Sequence, residues 1–338
     1  MVAIPAQFQV YACLCFAEVI FGVWPVVASA AMKEGFDPVV FALYRCAGSA
    51  VLLLGASWIL EGYMPVLPFS APSPKMQEVY RDRFRNFPWP YFIILGALMC
   101  CNVLGYIVGV QLTSSTQAAL MQPIIPVVAC LVGVIVGHES VNIGKLVGIL
   151  VSVVGAMYVV YVGQEEADAH GAKSERKYQL GTLALMVNVF CVSMYFVLQK
   201  MLLRKYPPVF ITSVSNLIAS GFLLLVACFY FQEFGISSWM PLMLTPKREA
   251  ALAYGIMFTT ALNFVIMAWA NKVTSPSTVT SFSTLQPLIT TLVSIVFFGV
   301  YPCLQTVYGG VAIIGGLMLT VRAQLDESSS VAEDARLL

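Results

Sequence analysis

Two stretches decide how this chain reads. Thr113–Gly133 runs TSSTQAALMQPIIPVVACLVG, and Thr274–Ser294 runs TSPSTVTSFSTLQPLITTLVS. Each opens on Thr-Ser, carries a Gln-Pro pair at the same depth, and continues as an apolar run; Gln122-Pro123 and Gln286-Pro287 stand 164 residues apart. A match at this separation marks an internal duplication. Further correspondences fall in the same order. Gly148 and Gly155 match Gly309 and Gly316, each pair seven residues apart. DPVVFALYR aligns with PPVFITSVS, which places Glu18 opposite Asn188.

The composition says what is duplicated. Of 338 residues, 59% are hydrophobic and only 10% charged, and the mean hydropathy is +0.84. Soluble domains carry about 25% charged residues, so this chain cannot coat a water-facing surface. A soluble enzyme, a disordered protein and a nucleic-acid binder are excluded. The net charge of +1 gives no field that would attract a polyanion. The lipid bilayer is the expected solvent.

Ten apolar runs of roughly 20 residues, the length that crosses a bilayer, lie between Phe8 and Val321. The expected fold is all-α and integral to the membrane, with ten transmembrane helices. Residues 8–162 form a first five-helix repeat and 179–322 a second. Between them lies a polar linker, 163–178, and after them a polar cytoplasmic tail, 323–338, expected to be disordered from Asp326 to Leu338. Five is odd, so the second copy enters the membrane inverted. Inverted repeats are a transporter architecture, with the binding site near the midplane where the halves meet. With the N-terminus inside, inner segments hold eleven Lys and Arg and outer segments six, Arg45 lying within a span. The positive-inside rule then puts both termini in the cytoplasm.

The whole layout resembles the EamA type of the drug/metabolite transporter superfamily. The residues that carry the resemblance are EGFDPVVFALYR before the second span, LTSSTQAALMQPIIPVVACLVGVIVGHESVNIGKLVGILVSVVGAMYVV across the fourth and fifth, and the diverged copy ANKVTSPSTVTSFSTLQPLITTLVSIVFFG. Within that type, VFALYR and GAMYVVYVG look most like the plant UMAMIT group. The resemblance implies a secondary transporter of amino acids, auxin-like acids or related metabolites, in a plasma, vacuolar or other endomembrane, with no cofactor. A second copy of the chain is a candidate partner. Two alternatives stay open: a nucleotide-sugar or sugar-phosphate carrier, and a membrane-embedded enzyme or scaffold.

Polar residues inside apolar runs are the candidate site. Glu18 and Arg45 are ionisable at depth, where function is the default reading. Glu18 is either a coupling or amine-binding group or one half of an ion pair with Arg45. For proton coupling it is the expected carrier, since its repeat partner Asn188 cannot titrate. Arg45 could hold a carboxylate through its fork of donors or reach toward the interface. Asn102, Gln122, Asn188, Asn263 and Gln286 share one depth and read as a polar belt for substrate. Trp24 and Trp269, with Tyr106 and Tyr195, are candidate walls of a pocket. Pro25, Pro123, Pro126 and Pro287 each remove a helical hydrogen bond and free a carbonyl, so each is a candidate helix break. The glycine pairs of the fifth and tenth spans read as close helix packing. No catalytic His, Asp or nucleophile constellation lies within the spans, and no metal-ligand spacing is present.

Overall fold

The computed structural model describes residues 6–33, 35–61, 87–113, 118, 121–137, 142–165, 175–234, 245–298 and 304–337. Among them every regular element is a helix. In lipid this is the expected solution, because a helix satisfies its own backbone groups. The first half holds α1 (Ala6–Lys33), α2 (Pro38–Ala56, continued by a π-helical turn Ser57–Glu61), α3 (Trp89–Leu112), α4 (Ile125–Ile135) and α5 (Ile143–Glu165). The second half holds α6 (Glu175–Leu203), α7 (Pro208–Phe234), α8 (Pro246–Tyr254), α9 (Asn263–Val273), α10 (Pro276–Ser281), α11 (Gln286–Phe298) and α12 (Leu304–Leu337). A π-helical stretch, Gly255–Leu262, joins α8 to α9 into one rod, and a 3-10 turn, Phe282–Leu285, joins α10 to α11.

Local sequence sets the helix ends. Gly35 takes φ +82°, the left-handed region open to glycine. Asp37 then caps α2, its carboxylate accepting from the backbone of Val39 at 2.9 Å and Val40 at 3.1 Å, with Pro38 in the first turn. Glu61 does the same across the bundle, accepting from Val209 N at 3.1 Å and Phe210 N at 2.9 Å at the start of α7. Lys200 of α6 closes the far end of α9, donating to the carbonyls of Asn271, Lys272 and Thr274. A cation suits that negative helix end.

The prolines divide. Gln122–Ile124 forms a 3-10 turn before α4, with Pro126 in the first helical turn after it. Pro287 stands in the first turn of α11, after the 3-10 turn Phe282–Leu285. The two Gln-Pro pairs therefore interrupt matching rods. Pro25 does not act as a break: α1 runs through it from Ala6 to Lys33. One missing bond to the Phe21 carbonyl is too small a loss to end a 28-residue helix.

Among the described residues, seven helices are long and apolar enough to cross a membrane, by length and composition. Two further apolar helices, Gln122–Ile135 and Ile143–Tyr158, are shorter. The tail departs from expectation. The polar residues after Val321 continue α12 as far as Leu337 instead of ending in disorder. No Gly or Pro interrupts residues 317–338, and Ala, Glu, Arg and Leu favour helix. The polar linker is also helical at both edges, with α5 reaching Glu165 and α6 starting at Glu175; its centre, 166–174, lies outside the described residues.

The halves interleave. α5 packs along α12, α2 along α7, and α4 against α10. α3 packs on α6 as α1 packs on the α8–α9 rod. α4 meets α6 as α11 meets α1, and α3 meets α7 as the α8–α9 rod meets α2. Exchanging the two halves leaves this set of main pairs unchanged. The α5–α12 contact is close because glycines line it. A methyl group at Gly155 would lie 2.8 Å from Ala312 Cβ and 2.9 Å from the Gly309 carbonyl, and one at Gly148 would lie 2.7 Å from the Gly316 carbonyl.

Candidate functional site

The two broken rods and their neighbours surround a cavity. Both halves line it. α1, α2 and α3 contribute Phe21, Trp24, Arg45, Asn102 and Tyr106; Gln122 comes from the first break; α6 contributes Asn188 and Phe196; Phe264, Met267, Thr280, Ser283 and Gln286 come from the α8–α9 and α10–α11 rods.

One wall is cationic. The Arg45 guanidinium carbon sits 4.9 Å from the Trp24 ring centroid, over its face. Trp24 in turn stacks on Phe41 at 5.9 Å. Arg45 is 5% exposed and its Nε has no hydrogen-bond partner. It is the only cationic side chain lining the cavity among the described residues. Sterics hold it there: a methyl group at Gly255, in the π-helical stretch, would lie 3.2 Å from Arg45 Cδ. The opposite wall is aromatic. Phe264 stacks on Phe196 at 6.1 Å and meets Phe21 edge-on at 6.1 Å.

The amides form two groups. Gln122 Nε2 donates to Asn188 Oδ1 at 3.1 Å, and Asn188 Nδ2 donates to Asn102 Oδ1 at 2.6 Å. Gln122 also reaches back to the Ala118 carbonyl at 3.4 Å, and its own carbonyl accepts from Ser283 Oγ at 3.4 Å, which links the two breaks. In the second group Gln286 Nε2 donates to Glu18 Oε2 at 2.9 Å. Asn263 Nδ2 donates to the Ala17 carbonyl at 2.7 Å. Glu18 is fully buried.

The structure thus brings together Glu18, Arg45, Trp24, Asn102, Gln122, Asn188 and Gln286 in or against one cavity. Asn263 lies behind the lining, against α1. The ion pair of Glu18 with Arg45 is not formed; Glu18 faces Gln286 while Arg45 covers Trp24. Trp269 does not line the cavity and is 36% exposed on the outside of α9. Helical spacing explains this, since Trp269 is five residues after Phe264, past one full turn. Tyr195 is buried one layer out, its hydroxyl accepting from Gln199 Nε2 at 3.2 Å. Sequence reasoning missed the aromatic wall and Gly255. Phenylalanines are common in apolar helices, and a π-helical stretch leaves no periodic signature. Also missed was the cluster at the start of α10, where Ser275 caps the helix, accepts from Lys145 Nζ at 2.7 Å and donates to Gln324 Oε1 at 3.1 Å.

Relatives match almost the whole chain. The profile of the EamA-like transporter family matches residues 9–161 and 179–322. Two WAT1-related proteins of Arabidopsis thaliana are 26% and 24% identical; each alignment covers 91% of this chain, and 84% and 83% of those proteins. The protein WALLS ARE THIN 1 of Arabidopsis thaliana is 21% identical, over 97% of this chain and 86% of its own. A crystal structure at 16% identity superposes with a TM-score of 0.69 over 93% of this chain and 96% of that one, so the fold is shared. The chain is an integral, multi-pass membrane transporter, and it belongs to the EamA-like transporter family.

Proposed function

We propose that this chain is a secondary transporter of small organic metabolites bearing a carboxylate, amino acids or related organic acids, working by alternating access. Its ten helical rods are read as ten spans in two inverted five-helix repeats, with both termini cytoplasmic. The packing supports that reading, since exchanging the halves preserves the main helix pairs. One observation carries the substrate class: a single buried guanidinium, without a partner at Nε, faces a cavity otherwise lined by amides, hydroxyls, aromatic rings and aliphatic side chains. A lone Arg suits one carboxylate, whereas phosphate groups call for several cations. The amides of Gln122 and Gln286, which line the cavity, suit an ammonium or hydroxyl on the same molecule.

Uptake into proteoliposomes, screened over amino acids, auxin-like acids, sugars and purines with and without a pH gradient, tests this. Accumulation of a carboxylate solute in wild-type vesicles, lost in Arg45→Gln, is expected. Transport confined to sugars or purines would refute the carboxylate assignment.

A further inference from the structure

Two buried acceptors beside the cavity lack a donor: Glu18 Oε1 and Asn263 Oδ1. Both residues are 0% exposed. Buried acceptors normally find a donor, and one left without carries an uncompensated desolvation cost. The chain of amides Gln122, Asn188 and Asn102 shows what is missing. There the chain is complete: Gln122 donates to Asn188, and Asn188 donates to Asn102. In its counterpart Gln286 donates to Glu18, and the chain stops.

The two chains correspond residue by residue. Gln286 matches Gln122 and Glu18 matches Asn188. Asn263 follows Asn102 by 161 residues, as Thr274 follows Thr113. Those threonines end their helices alike, Thr113 Oγ1 donating to the Gly109 carbonyl at 2.6 Å and Thr274 Oγ1 to that of Ala270 at 2.9 Å. The difference is one hydrogen. Asn188 has an amide hydrogen to pass on; a glutamate has none, and a glutamic acid has one. Turning the Asn263 amide over does not supply it without loss, because its nitrogen already serves the Ala17 carbonyl. No cation replaces it either. Among the described residues the only polar partner of Glu18 is Gln286, and Arg45 of α2 rests on Trp24.

The other titratable groups on elements packed around Glu18 are weak or distant acids and bases. Cys15 lies about one turn back on α1. Tyr254 of α8 donates its hydroxyl to the Ile20 carbonyl at 2.8 Å. Tyr106 of α3 lines the cavity. Lys272 stands in the last turn of α9, and Lys247, Arg248 and Glu249 in the first turn of α8, away from the cavity lining. The turn Phe282–Leu285 and α11 bring no titratable side chain.

We propose that Glu18 is a proton-binding site, the acid donating its Oε1 hydrogen to Asn263 Oδ1, so that Gln286–Glu18–Asn263 is the titratable counterpart of the fixed chain Gln122–Asn188–Asn102. Binding forms the Oε1–H bond and completes the chain. Release breaks that bond, passes the proton to water in the cavity that Gln286 lines, and leaves a carboxylate held by one amide. The use of this site in coupling rests on the transporter reading, but its chemistry does not, so the test reads the proton itself.

Infrared difference spectroscopy of the purified, reconstituted protein, titrated between acid and alkaline buffer without any solute, is the direct experiment. A carbonyl stretch of a buried, hydrogen-bonded carboxylic acid is expected in wild type, shifted in deuterated water and absent in Glu18→Gln. Asn263→Leu should move that band to the position of a free acid. Should Asn263→Leu fail to fold, Asn263→Ser, which shortens the acceptor, should weaken the same hydrogen-bond shift. A wild-type spectrum with no acid band that Glu18→Gln removes would overturn the proposal, as would a band that neither Asn263 variant moves. Loss of transport in the uptake screen alongside an intact acid band would refute the transporter reading and leave the proton site standing.

Discussion

Glu18, Asn188 and Arg45 show how little separates structural polarity from chemistry at the residue scale. Asn188 and Glu18 occupy matching places, and each accepts from a glutamine on a broken rod. Only one of them can change its proton count. Glu18→Gln, which fixes the neutral form, should retain solute exchange and lose accumulation driven by a pH gradient; counterflow and gradient-driven uptake measured side by side check this, and normal gradient-driven uptake would contradict it. Gln286→Leu removes the one donor to Glu18 among the described residues, while Gln122→Leu breaks the amide chain. Both should abolish or strongly reduce transport while the protein still reaches its membrane. Gln286→Leu should also lower thermal stability more, by roughly 1–3 kcal/mol, because it strands a buried acid. Arg45→Gln should raise the apparent KM for a carboxylate solute by about tenfold or more, the scale of one lost charge-assisted hydrogen bond.

At the scale of elements, the Gln-Pro breaks and the glycine seam carry most of the architecture. Both were legible in the sequence, because Pro and Gly have fixed local consequences. The seam between α5 and α12 leaves no room for larger side chains. Gly148→Leu should therefore reduce the yield of folded protein and its unfolding temperature, as overpacking by roughly 1–3 kcal/mol would do; fluorescence-detected gel filtration after heating reads it out, and an unchanged profile would show that the helices can part. Pro25 was misleading because it shares the chemistry of the other prolines but stands in a long helix that bridges the gap. Trp269 was misplaced because depth along a span can be read from sequence, whereas rotation about the helix axis depends on neighbours. The Gln122–Asn188 and Gln286–Glu18 bonds join residues 66 and 268 positions apart. Depth suggested their proximity, and only packing fixed who donates to whom.

For the whole molecule, the account requires that one cavity be reached from each side in turn. On the proposed alternating-access reading, exchanging the roles of the two halves would relate the inward-open and outward-open states. Orientation follows the same scheme: a tag at Leu338 should be reached only after the plasma membrane or organelle is opened from the cytoplasmic side, and a tag within 166–174 only from the opposite side. The most direct measurement is accessibility of Ser283→Cys, a cavity-lining position, to a membrane-impermeant thiol reagent in oriented vesicles, on a background free of other cysteines. The account predicts labelling from either side, slowed from both by a transported solute. Labelling from one side only, under every condition, would contradict it.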